Sequence, residues 1–161
     1  MDIKASLKGQ YHAGLAMLRD TITACPEETW LSGKHPRNYW RIVFHTLYYT
    51  HLYLHQDEES CVHWSKCRKE CRVLWDEPEI EEPYTQAEML SYLAEVDAGV
   101  DSLVDALDLD TEKTGFSWYT DMGKLDHQLL SLRHLQGHVG QLSEILMQAG
   151  IDTEWVGIAF G

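Results

Sequence analysis

The sequence predicts an all-α protein, a four-helix bundle in which a long crossover joins the second and third helices. Four segments repeat their apolar residues at intervals of three and four, as amphipathic helices do. No segment shows the clear alternation of apolar and polar residues that is typical of a half-buried strand. Four helices of similar length with one long connection favour a bundle.

Composition narrows the class of protein further. A chain of 161 residues is long enough for one domain with a buried core, so residues 1–161 are predicted to form a single domain. It carries 26 acidic against 13 basic residues, a formal net charge of −13. This charge repels phosphate backbones and anionic lipids, so we expect neither nucleic acid nor a membrane as partner.

The same sequence predicts a cytoplasmic protein. It contains no run of about 20 apolar residues, the length of a membrane-spanning helix, and its N-terminus lacks the pattern of a signal peptide. The four cysteines are expected to be reduced thiols, because a chain of this size does not need disulfides.

The first two helices are predicted at residues 3–25 and 38–56. Asp2 is suited to cap the first helix, and Pro26 ends it because a proline disfavours helical conformation in the residue before it. The second helix is apolar on most of its faces. Such a helix lies at the centre of a protein or is shared between two subunits.

Residues 57–84 are predicted to be a long connection that contains one short helix near residues 62–74. The third helix has a clear start, since Thr85 and Glu88 have the spacing of a capping box. The fourth helix is predicted at residues 124–149, with Gly150 as its stop. Its inward residues are expected to be Leu125, Leu129, Leu132, Val139, Leu142 and Leu146.

Histidines are numerous, with nine in the chain, and unevenly placed. His134 and His138 lie four apart in the fourth helix, so their rings share one face and can reach a common ion. Two histidines on the flank of the apolar stripe could also fall at this spacing by chance. A third ligand from the second helix, which carries His45, His51 and His55, would complete a three-histidine site with open positions for water or substrate.

The chain resembles the DinB-like (DinB/YfiT-type) family. The stretch SLRHLQGHVGQLSEILMQAG (131–150) is similar to the last helix of those proteins, with its Arg-His, HxxxH and following Gly-Gln. The stretch YWRIVFHTLYYTHLYL (39–54) resembles their second helix, in which a histidine opens an apolar run with aromatic residues. The likeness extends to CPEETW (25–30) and GFSW (115–118), and so covers most of the chain.

This resemblance implies an up-down-down-up four-helix bundle, a homodimer, and one divalent metal ion per chain on His45, His134 and His138. Helical periodicity disagrees about the third ligand, because it places His51 nearer the middle of the apolar stripe of the second helix. Some family members carry a further histidine where this chain has Val139, a departure that removes no ligand. Zinc and nickel are the expected metals, since imidazole suits both.

Two functions remain open at this point. The resemblance implies a metal-dependent enzyme acting on a small molecule, either a thiol-dependent S-transferase that uses a low-molecular-weight thiol or a hydrolase. The alternative is a non-catalytic stress-response or binding protein with a structural or sensory metal. No catalytic residue is identified, and the candidates for a general base rest only on proximity in sequence: Asp121, Asp126 and Glu144.

Three other groups of residues have two interpretations each. Cys61, His63, Cys67 and Cys71 could hold a second zinc ion, but they lack paired CxxC spacing, which favours ordinary thiols. His51 and His55 also form an HxxxH pair, for which simple stacking is preferred. Packing or an interface is preferred over a substrate pocket for five aromatic residues: Tyr48, Tyr49, Trp118, Tyr119 and Trp155. The predicted dimer surface is the leftover apolar face of the second helix with the tail from Trp155 to Phe160.

Overall fold

The computed structural model describes residues 2–75, 79–80 and 82–161. Those residues form helices and loops without any strand, which confirms the all-α class for that part of the chain. No helix among them is both long and apolar enough to cross a bilayer. The helices are α1 (Ile3–Ala24), α2 (Glu27–Trp30), α3 (Tyr39–Tyr53), α4 (Gln86–Ala106) and α5 (Lys124–Gln148).

The four long helices begin and end close to the predicted residues, and local signals explain why. The Asp2 side chain accepts a hydrogen bond of 3.0 Å from the backbone N–H of Ala5 and so caps α1. Thr85 and Glu88 form the predicted capping box at the start of α4. Gly150, with φ of 79°, follows the end of α5.

The connection after α3 differs from the prediction. Residues 62–74 contain only a short 3₁₀ turn, Lys69–Cys71, instead of the predicted helix. Individual side chains, not a continuous helical face, hold this segment. Trp64 stacks on Tyr92 of α4 with ring centroids 4.6 Å apart, and the buried Arg41 of α3 donates from Nη2 to the carbonyl of Glu70 at 2.6 Å.

Helix α3 lies at the centre of the molecule. It packs against α4 and α5, and α1 packs against the same two helices. Every residue of α3 except Tyr49 is buried within the single chain, so this helix leaves no apolar face for the predicted dimer surface. The buried stripe of α5 runs through Leu135, Val139, Leu142 and Leu146, whereas Leu129, predicted to face inward, is 54% exposed.

Lys124, the first residue of α5, forms hydrogen bonds to both loops next to the end of α3. Its fully buried ammonium donates to the carbonyls of His55 and Gln56 at 2.7 Å and of Thr114 at 2.9 Å. Burial lowers its pKa to about 8, so it stays protonated at neutral pH. Gly115 has φ of 83°, and a Cβ there would collide with the Gln56 carbonyl, so glycine is required for this close approach.

Candidate metal centre

The packing of α3 against α5 brings the three predicted site residues together. His45 projects from α3, and His134 and His138 project from α5, one turn apart. Ring centroids lie 5.0 Å apart for His45 and His134, 4.9 Å for His45 and His138, and 4.6 Å for His134 and His138. One ligand atom of each ring lies within 4.8 Å of the other two, so this group could hold a metal ion.

Hydrogen bonds on the far side of two rings fix which nitrogen faces the centre. His45 Nδ1 lies 2.6 Å from the backbone carbonyl of Arg72, and His138 Nδ1 lies 3.0 Å from the side-chain oxygen of Gln141. These oxygens only accept, so each Nδ1 carries the proton and leaves the Nε2 lone pair available. His45 Nε2 points at His134 Nε2 across 3.0 Å.

Burial keeps the three rings neutral, which is the form that binds a metal. Burial, together with a smaller effect of the neighbouring His134, lowers the pKa of His45 to about 3. Burial also lowers the pKa of His134 to about 4, with a smaller effect from His138, and lowers the pKa of His138. Among the described residues, the buried Nδ1 of His134 has no hydrogen-bond partner.

The alternative ligand, His51, lies on a different face of α3. Its Nδ1 is 3.1 Å from the hydroxyl of Tyr92, a residue of α4, so its ring points away from the α5 pair. Periodicity favoured His51 because it assumes one inward face. Helix α3 is buried on nearly all of its faces, so its apolar stripe does not identify the side that meets α5.

A cavity of about 640 Å³ opens next to the three histidines. The basic residues Arg37 and Arg72 and the acidic residue Glu58 are among those that line it. Four of the aromatic residues for which the sequence favoured packing also line it, whereas Trp155 does not. The aromatic lining consists of Tyr48, Tyr49, Tyr53, Trp75, Trp118 and Tyr119.

The three carboxylates that the sequence offered as candidates for a general base lie away from the cavity. Asp121, Asp126 and Glu144 are exposed and do not line the cavity, whereas Glu58 does. No motif in the sequence distinguishes Glu58 from its neighbour Glu59, since both are acidic residues of the long connection. Its place depends on loop closure, in which its backbone N–H donates to the Gly115 carbonyl at 3.3 Å.

The centre therefore combines three neutral imidazoles with a cavity large enough for a small molecule. A metal ion on these nitrogens would keep coordination positions open towards that cavity. The chain matches no protein-family model, no curated protein and no solved structure at a significant level.

Proposed function

We propose that the protein is a metal-dependent enzyme acting on a small molecule, of the thiol-dependent S-transferase or the hydrolase type. One zinc or nickel ion per chain would bind to His45, His134 and His138. The observation that carries this proposal is the position of these three histidines in the wall of a cavity of about 640 Å³. A metal that only stabilised the fold would not need such access.

The packing of the long helices supports the finer assignment of the fold. Helices α1 and α3 each pack against both α4 and α5, as expected for a single four-helix bundle. This packing, together with the resemblance of the α3 and α5 sequences to helices of the DinB-like family, supports a DinB-like domain over residues 1–161. The proposed location is the cytoplasm, where the four free thiols would stay reduced.

The cavity walls suggest how a substrate would be held. When bound, the ion would supply a Lewis acid that lowers the pKa of a thiol or a water molecule. Arg37 and Arg72 would attract an anionic group of the substrate, and the aromatic walls would bind its apolar part. Glu58, which also lines the cavity, would accept the proton that the thiol or water releases.

The non-catalytic alternative calls for a fourth protein ligand that closes the site. Glu144 is exposed and its carboxylate accepts a hydrogen bond from Gln148, so it does not fill this role. Cys61 belongs to a different group of residues. Among the described residues, the group at the cavity consists of His45, His134 and His138 alone, which favours the enzyme.

Metal content and thiol binding test the proposal. Elemental analysis should show that the double variant His134→Ala/His138→Ala loses about one divalent ion per chain. In cobalt-loaded Cys61→Ser protein, where this cysteine supplies no thiolate, a small thiol such as 2-mercaptoethanol should add a thiolate-to-cobalt absorption band, which the same protein with His134→Ala/His138→Ala should not show.

Each outcome separates one part of the proposal from the others. Full metal retention by the double variant would refute the site. Normal metal content without a thiol-induced band would reject the S-transferase type, and ester and amide hydrolysis would then test the hydrolase type. If both reactions fail, the metal is structural or sensory.

A further inference from the structure

A second group of metal-ligand side chains lies where α3 ends. His51 comes from the last turn of α3, His55 follows that helix, and Cys61 comes from the loop that turns back towards it. One nitrogen from each ring and the sulfur all lie within 4.8 Å of one another. The sequence spacing, HxxxH followed by five residues and a cysteine, suggested only a stacked histidine pair and an ordinary thiol.

Both rings are oriented in the way that metal-binding histidines are. His55 Nδ1 lies 2.9 Å from the backbone carbonyl of His51, and His51 Nδ1 lies 3.1 Å from the Tyr92 hydroxyl. The carbonyl only accepts, so His55 Nδ1 carries the proton and its Nε2 is left for a metal. The Tyr92 hydroxyl occupies Nδ1 of His51 and would accept its proton when Nε2 binds a metal. His45 is oriented in the same way as His55 at the cavity, through its contact with the Arg72 carbonyl.

The fold also holds the sulfur close to the rings. In the turn before Cys61, the backbone N–H of Ser60 donates to the Asp57 carboxylate at 2.8 Å. Lys124 fixes the start of the same loop through the carbonyls of His55 and Gln56. His63 Nδ1 lies 3.8 Å from Cys61 Sγ, so it can donate a hydrogen bond to a thiolate there.

We propose that His51, His55 and Cys61 form a second zinc site, separate from the three histidines at the cavity. Two imidazoles and one thiolate are ligands that zinc prefers, with a water molecule in the fourth position. Zinc–nitrogen distances of about 2.0 Å and zinc–sulfur distances of about 2.3 Å require the ligand atoms to approach to roughly 3.5 Å. The three ligand atoms already lie within 4.8 Å of one another, so they would have to close by little more than about 1 Å.

Binding would exchange a proton for the metal. Burial raises the pKa of Cys61 to about 11, so the thiol is protonated in the metal-free protein. When zinc binds, the thiol proton passes to the solvent and the sulfur lone pair forms the bond to the ion. The ion would then fix the loop that carries Glu58 to the cavity wall.

Cobalt substitution tests this site separately from the first, because only the second site offers a thiolate. Metal-free wild-type protein titrated with Co²⁺ should take up about two ions per chain and develop a thiolate-to-cobalt absorption band. Cys61→Ser should abolish that band and bind about one ion. Cys67→Ser is the matched control: Cys67 is also a half-buried thiol of the connection, lies outside the group, and should leave both readouts unchanged.

A further variant keeps the result independent of folding defects. His134→Ala/His138→Ala should retain the thiolate band while losing the other ion, so failure of the first site leaves this proposal standing. Circular dichroism confirms that each variant is folded. A thiolate band that persists in Cys61→Ser, or a wild-type protein that shows no such band, would overturn the second site.

Discussion

Helix α3 presents two histidine clusters that differ in how the fold assembles them. The helix-borne cluster, His45 with His134 and His138, joins residues 89 positions apart on two packed helices. The loop-borne cluster, His51 with His55 and Cys61, is built at one helix end and the turn beyond it. The first cluster therefore depends on the packing of the whole core, whereas the second depends mainly on the two loops that Lys124 fixes. A metal at the first should stabilise the tertiary fold, and a metal at the second should stabilise a loop.

The largest expected effect on metal affinity is the difference between replacing His45 and replacing His51, the two α3 histidines that belong to different clusters. His45→Ala should weaken metal binding at the helix-borne cluster by more than about 100-fold, because it removes a ligand and not merely a hydrogen-bond partner. His51→Ala should spare that cluster and abolish the cobalt–thiolate band of the other. Competition titration with a zinc indicator, read together with the cobalt spectrum, measures both affinities. The reverse pattern would show that periodicity identified the ligand correctly.

A second prediction concerns Lys124, whose ammonium group is hydrogen-bonded to both loops. Lys124→Met leaves three backbone carbonyls without their buried donor, at a cost of about 1–3 kcal/mol each, so the free energy of unfolding should fall by at least about 3 kcal/mol. Metal affinity should fall at the loop-borne cluster and change little at the helix-borne one. Urea denaturation and cobalt titration measure the two effects.

Lys113→Met is the control for this substitution, because Lys113 is exposed in the same region. It should change neither the stability nor either affinity. Equal losses of affinity at both clusters in Lys124→Met would contradict the distinction between a helix-borne and a loop-borne site.

Lowering the pH through the range in which histidines titrate should destabilise the metal-free protein. Burial lowers the pKa of His45 to about 3 and of His51, His127 and His134 to about 4, against about 6.5 in the unfolded chain. Between pH ~6.5 and ~4 the unfolded state binds more protons, so the free energy of unfolding falls as the pH falls. Above pH ~6.5 these groups are neutral in both states and contribute no pH dependence.

Variants of the two clusters show how much each cluster contributes to this dependence of stability on pH. His134→Ala/His138→Ala removes two such groups and should flatten the dependence of stability on pH more than His51→Ala, which removes one. Urea denaturation in a chelating buffer from pH 7 to pH 4 measures the slopes. Identical slopes in wild type and double variant would show that the helix-borne histidines titrate normally.

Dimer formation is expected to have the smallest effect on the two metal sites. We expect light scattering to report twice the chain mass of 18.6 kDa. Since α3 is buried, the interface should use the exposed Trp155 and Phe160 of the C-terminal tail. Replacing both with serine should yield a monomer with unchanged metal content, because neither cluster includes the tail. A wild-type monomer would disprove the dimer.

Sequence patterns located the parts of this molecule that depend on local rules. Asp2, the Thr85–Glu88 box and Gly150 mark helix ends through contacts a few residues long, so those boundaries were predictable. The spacing of His134 and His138 likewise places both rings on one face. Selecting His45 required the family resemblance, since the periodicity of a helix buried on all sides gives no direction.

The remainder of the centre depends on contacts between distant residues. Glu58 reaches the cavity because its loop is tied to Gly115 and Lys124, which lie more than fifty positions later in the chain. Cys61 joins His51 and His55 only through the same closure. No local pattern encodes such closure, which explains why a helix was predicted where residues 62–74 form loops and a short turn.

Tyr48 lies between the two clusters. Its ring stacks on His63, next to Cys61, with centroids 5.4 Å apart, and it also lines the cavity beside His45. A ligand in the cavity that prefers one position of this ring would, through His63, alter the free energy of zinc binding at the proposed loop site. Thermodynamic linkage makes that effect reciprocal: zinc at the loop must change the affinity of the cavity for its ligand by the same factor. The two clusters would then act as heterotropic sites within one small domain.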